Sequence, residues 1–128
     1  MFSLSALLLA GTVFAHTMAA AFGWVNTTHE FGKIRQGKPV TVSYSFTNKG
    51  EMPLLVTSAK GSCGCTGVEW PQQAVLPGAK GEIKATFNAA TLGAFNKSVY
   101  VESNADGGPV TLAFKGEVIA EDKAVEGK

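Results

Sequence analysis

Residues 40–48, VTVSYSFTN, alternate apolar and polar without a break. Val40, Val42, Tyr44 and Phe46 fall on one side; Thr41, Ser43, Ser45 and Thr47 fall on the other. A helix returns to the same face every three to four residues, so a period of two specifies a strand with one dry and one wet face. Such a strand cannot stand alone, because its dry face must be covered by a second layer. The same pattern recurs in residues 81–88, with Ile83, Ala85 and Phe87 inward, and in residues 95–103, with Phe95, Val99 and Val101 on one face. It recurs once more in residues 110–118, through Val110, Leu112, Phe114 and Val118, where Gly116 interrupts the face and marks a candidate bulge. Residues 22–25, 28–34 and 54–59 are shorter extended pieces. Turn signals, among them Gly37-Lys38-Pro39, Pro77-Gly78 and residues 104–109 (NADGGP), separate these segments. There is no helical period longer than a turn and no internal repeat. The pattern predicts an all-β chain of seven to eight strands folded as a β-sandwich. Its expected core is Val42, Tyr44, Phe46, Ile83, Phe87, Val99, Val101, Leu112 and Phe114.

The ends of the chain read differently. Residues 1–21 are apolar or small almost throughout, and residues 4–15 (LSALLLAGTVFA) have the length of a signal-peptide core. Two cleavage sites satisfy the small-x-small rule, one after Ala15 with Val13 at −3 and one after Ala21 with Ala19 at −3. The second is preferred, because the strand pattern begins soon after it. The expected organisation is a signal peptide over 1–21, one domain over 22–120 and a polar tail over 121–128. The leader departs from the usual form in having no Lys or Arg at its start. An uncleaved membrane anchor is the competing reading; Thr12, His16 and Thr17 make that stretch a poor spanning helix. No second apolar run follows, so no membrane span is expected in the mature chain. Localisation is expected to be exported, periplasmic or cell surface. With 11 Lys plus Arg against 10 Asp plus Glu, the net charge is +1, and the sequence carries no basic run of the kind nucleic acid requires.

The two cysteines stand one glycine apart in residues 61–71, GSCGCTGVEWP. Three readings of Cys63-Gly64-Cys65 are open. In a flat strand the two Cα atoms would lie roughly 6.6 Å apart, from a rise of about 3.3 Å per residue. That is the long edge of disulfide geometry, and a positive φ at Gly64 would fold the segment tighter. A disulfide is the favoured reading, since an exported chain meets oxidising conditions. A soft-metal site is the second; it needs further ligands, for which His29 and Met52 are the candidates, and the spacing matches no common zinc pattern. Two thiols packed as small core residues are the third. His29 is read as a structural histidine near Trp24 or, failing that, a ligand contact. Trp70 is read as the residue that closes a strand and fills the core, with ligand stacking as the alternative. No nucleophile, base and acid form a recognisable motif, and no phosphate-binding glycine loop is present.

The element GSCGCT followed by Trp70-Pro71 resembles a bacterial family of exported domains of unknown function, the DUF1573 family. His29-Glu30-Phe31-Gly32, residues 46–50 (FTNKG), Pro53-Leu54, residues 76–81 (LPGAKG) and residues 101–105 (VESNA) match it as well. The likeness covers roughly residues 28–118. It implies an immunoglobulin-like β-sandwich related in shape to the ASH and Hydin-type modules of larger proteins. It implies no activity, substrate or cofactor. The expected function is therefore a non-enzymatic binding or structural module without a cofactor, whose partner is another envelope protein. An extracytoplasmic thiol-redox or soft-metal protein acting through Cys63 and Cys65 is the alternative.

Overall fold

The computed structural model describes residues 18–120. Eight strands follow in chain order: β1 Phe22–Trp24, β2 Thr28–Arg35, β3 Val40–Asn48, β4 Val56–Gly61, β5 Thr66–Glu69, β6 Lys80–Phe87, β7 Gly93–Ser103 and β8 Val110–Ile119. They form two four-stranded sheets with orders β1-β3-β6-β5 and β2-β8-β7-β4. The alternation in β3 acts as read: Val42, Tyr44 and Phe46 are buried and Thr41 and Ser43 exposed. Every one of the nine expected core residues is buried, joined by Leu54, Val56, Ala85, Phe95 and Val118. Phe87 from the first sheet meets Phe95 from the second at 4.4 Å between ring centroids, and Phe114 lies 5.8 Å from Phe87. These rings weld the layers at one end. At the other flank Phe22 stacks on Trp24 at 4.6 Å, and both turn onto Phe46.

Three details differ from the pattern. The fourth strand starts at Val56; Leu54 is buried but pairs only through an isolated bridge with Val75. Strand β5 was not among the expected strands, because four residues interrupted by Gly67 show too little alternation to register. The bulge expected at Gly116 lies elsewhere. The β7–β8 ladder runs unbroken from Gly93↔Val118 to Val101↔Val110. The irregularity is in β2, between Glu30 and Lys33 of its parallel pairing with β8, with Gly32 at φ +71°. A Cβ on residue 116 would lie 2.6 Å from the Gly32 carbonyl oxygen. Gly116 is thus the flat spot that admits the bulged backbone of its neighbour.

The sandwich has two poles. At one, Asn48 is fully buried at the end of β3. Its side-chain amide donates to the carbonyls of Met52 (2.8 Å) and Val75 (2.9 Å). Its side-chain oxygen accepts from the backbone N–H of Gly50 (2.9 Å) and Ala21 (3.3 Å). The chain before β1 is part of this pole, since Ala20 bridges to Ala105 and is 1% exposed. The folded unit therefore includes Ala19–Ala21, which the expected boundary at residue 22 leaves outside. The expected leader core, residues 4–15, and the tail, residues 121–128, lie outside the described residues. No helix among the described residues is long and apolar enough to cross a membrane.

Candidate functional site

The opposite pole carries the cysteines. Strand β4 is an edge of the second sheet and β5 an edge of the first, so the chain must cross between layers between Gly61 and Thr66. Gly61 has no room for a side chain, since a Cβ there would sit 2.8 Å from Thr66 Cβ. The crossing is a tight turn closed by a hydrogen bond from the Thr66 N–H to the Cys63 carbonyl at 3.4 Å. Within it Cys63 and Cys65 are joined as a disulfide, with Cα atoms 5.2 Å apart. That is closer than a flat strand allows, and the turn supplies the difference. Gly64 is not among the positive-φ glycines, so the conformation anticipated for it is not the one used.

Both cysteines are half-buried, and Ser62 and Gly64 beside them are exposed. The Thr66 hydroxyl lies 3.7 Å from Cys63 Sγ and 3.9 Å from Cys65 Sγ. A disulfide sulfur has no proton, so the hydroxyl is the donor to either. The turn is pinned on both sides. Ser62 exchanges hydrogen bonds with Ser98 of β7, N–H to carbonyl at 2.8 Å and N–H to Ser62 Oγ at 3.0 Å. The Asn88 N–H donates to the Cys65 carbonyl at 3.0 Å. Next to Asn88, buried Ala89 holds a left-handed φ of +55°, a conformation that costs a non-glycine residue energy and persists only where the surroundings impose it. Two depressions flank the disulfide. One, of about 260 Å³, is lined by Cys65, Phe95, Lys97 and the exposed Leu92. The other is lined by Lys60, Cys63, Gly64 and Val68.

The other candidate residues are not gathered here. His29 sits on β2, at the opposite edge of the second sheet from β4. Three inter-strand spacings separate these edges, about 14 Å. Its ring packs edge-on against Phe31 at 4.5 Å, not against Trp24, and it lines a separate depression with Glu30, Asn96 and Lys115. Met52 lies at the Asn48 pole, where its N–H donates to Ala19. The ligand set Cys63, Cys65 and His29 is thus not assembled, and among the described residues no three His, Cys, Asp or Glu side chains are grouped to hold a metal ion. Trp70 follows directly on β5, half-buried against the core, and lines a shallow depression with Glu69, Pro71 and Lys84. It closes a strand and packs on the core, as read from the sequence.

Two four-stranded sheets packed over a common core, stapled at one crossover, define an immunoglobulin-like β-sandwich. The chain belongs to the DUF1573 family: the model described as "Protein of unknown function (DUF1573)" matches residues 22–118. No curated protein matches the chain. Among solved structures it is similar to a protein of unknown function from Porphyromonas gingivalis, with TM-score 0.69 and 14% identity over 84% of this chain and 51% of that one. It is similar to the VesB protease of Vibrio cholerae, with TM-score 0.64 and 14% identity over 76% of this chain and 32% of that one. It is also similar to an ASH/PapD-like domain of human CEP192, with TM-score 0.63 and 12% identity over 94% of this chain and 98% of that one. The chain therefore spans about half the length of the Porphyromonas protein and about a third of the protease. At these identities the likeness is one of fold.

Proposed function

We propose that this protein is an exported, non-catalytic binding module that takes up an extended segment of another envelope protein along β5. The observation that carries the reading is the state of the four edges. Strands β2 and β4 both contain a register shift, and β1 is three residues long. Bulges and shortness are devices that blunt an edge. Strand β5 pairs with β6 through all four residues without a shift, and among the described residues no strand flanks it on the other side. An extended segment added there gains backbone hydrogen bonds for affinity, and side-chain pockets give selectivity. Half-buried Val68 and Trp70 offer an apolar contact, and the disulfide turn fixes where the edge begins. A fold also found within longer chains fits a module whose role is contact.

The test is site-specific photo-crosslinking in cells. A photoreactive residue at Gly67 or Glu69 is expected to give a discrete adduct with an envelope protein, whereas one at Val25 on the β1 side gives none. Equal labelling from both flanks, or none from either, rejects β5 as the docking edge.

The Thr66 hydroxyl beside both sulfurs supports a second reading, in which the disulfide exchanges with thiols. A thiolate released at Cys65 would be stabilised by that hydroxyl, with Lys97 lining the same depression; nearby donors and cations favour the charged form. Equilibration in glutathione buffers separates the two. A pair that stays oxidised at cytosol-like ratios is structural, and one that titrates within the physiological range is redox-active.

A further inference from the structure

The three alanines before β1 carry more of the fold than their place in the sequence implies. The Ala19 carbonyl accepts from the N–H groups of Glu51 (2.8 Å) and Met52 (3.3 Å). The Ala20 carbonyl accepts from the Asp106 N–H at 2.8 Å, and the Ala21 carbonyl from the Lys49 N–H at 2.8 Å. The Ala21 N–H donates to Asn48 Oδ1. Ala20 itself is 1% exposed and belongs to the core. Gly50 lies so close beneath this strap that a Cβ there would collide with the Ala19 carbonyl and the Ala20 Cα. The strap thus adds to the bonds of Asn104 with Pro53 and Leu55 in tying the β3–β4 connection to the β7–β8 turn.

We infer that the exported protein keeps Ala19–Ala21, and that leader removal falls after Ala15 and not after Ala21. The inference rests on the export reading above. Both sites present small residues at −3 and −1, so the leader alone does not choose between them. The fold does. A cut after Ala21 takes away the acceptors of four backbone N–H groups and the one apolar methyl filling the Ala20 position. The four donors sit on exposed residues, so water takes up the freed N–H groups and the loss is the net contribution of each bond together with the buried Ala20 methyl. A cut after Ala15 leaves the strap whole.

Two measurements test this. The chain is produced with its own leader in a bacterial host, the periplasmic fraction is isolated, and the intact mass is read. A start at His16 is the expected result. A start at Phe22 overturns the cut site, as does full-length protein retained in the membrane fraction. Full-length protein confined to the cytoplasm overturns the export reading and the cut site together. The strap is tested without export: residues 16–128 and 22–128 are made without a leader and compared by denaturant titration with the disulfide formed. The shorter chain should fold with an equilibrium constant roughly a hundredfold smaller or worse. Gly50→Val in the longer chain should produce a loss of the same order, because it displaces the strap without removing it. Coincident transitions for 16–128 and 22–128 overturn the strap whatever the start site proves to be.

Discussion

Asn48 continues the inward phase of β3, following Val42, Tyr44 and Phe46 at two-residue intervals. A polar side chain on the dry phase reads in sequence as the end of the strand. It is in fact a fully buried amide whose two donors and its acceptor oxygen are all engaged by backbone. The signal was present in the phase, but a pattern read for apolar residues discards it. Replacing Asn48 by Ala takes the partner from the Met52 carbonyl and from the Gly50 and Ala21 N–H groups, while the Val75 carbonyl keeps the Leu54 N–H. At about 1–3 kcal/mol for each buried unpaired group, a loss of at least roughly 3 kcal/mol is expected in chemical denaturation. Tyr44 makes a second prediction at this scale. Its hydroxyl donates to the Ala113 carbonyl at 2.7 Å, and burial pushes its pKa up from 10.0 to about 12. The neutral phenol is the form the fold favours. Its contribution is complete below pH 10, where the unfolded tyrosine begins to ionise, and is lost as pH rises toward 12. Over that window stability should fall by about 2–3 kcal/mol from this group. Comparing denaturant midpoints at about pH 9 and about pH 11.5 with those of Tyr44→Phe isolates the term, since the variant lacks it.

The crossover from β4 to β5 shows how far sequence carries at the scale of an element. The disulfide was legible, because the expectation of export and the short spacing of Cys63 and Cys65 pointed to it. What the disulfide holds was not legible, because β5 is too short to announce itself and the change of sheet is a property of packing. The closed loop is only a few residues long, so cross-linking removes little entropy from the unfolded chain in a model where the gain grows with loop length. The turn is also held independently by the Ser62–Ser98 and Cys65–Asn88 hydrogen bonds. The double variant Cys63→Ser, Cys65→Ser is therefore expected to stay folded, losing less than about 2 kcal/mol by denaturant titration, below the usual range for a native disulfide. A loss of cooperative unfolding would show that the staple is needed to bring the two edges together.

On the scale of the molecule, the sandwich, its dry faces and its core followed from alternation alone, because burial of one face is a demand that each strand states locally. Sheet membership did not follow, and neither did the parallel pairing of β2 with β8, which joins residues some eighty positions apart. His29 is a further ligand for Cys63 and Cys65 only on the soft-metal reading, and topology places it at the far edge of the second sheet. Phe46 is the residue on which the first sheet turns, meeting Phe22 at 4.9 Å and Trp24 at 5.1 Å while its ring lies over Gly81. Phe46→Ala should cost about 3–5 kcal/mol, the usual range for emptying such a site, measured as the shift of the unfolding midpoint at constant slope.

The described chain enters at the pole of Ala20 and leaves at the pole of Ile119, and its second and last strands run side by side in the same direction. A pull applied at the two ends therefore meets the strap and β1 first and, once these yield, loads the β2–β8 hydrogen bonds in shear, all at once, instead of opening them one after another like a zip. A domain strung between an anchor and a load would resist until that patch gives way as a unit. Force spectroscopy on a tandem array should show a single rupture per domain, and Gly116→Val, which pushes the Gly32 backbone away from β8, should lower the rupture force. Joined end to end, such domains would form a line and not a folded stack, each one carrying its cysteine corner toward the same end of the line.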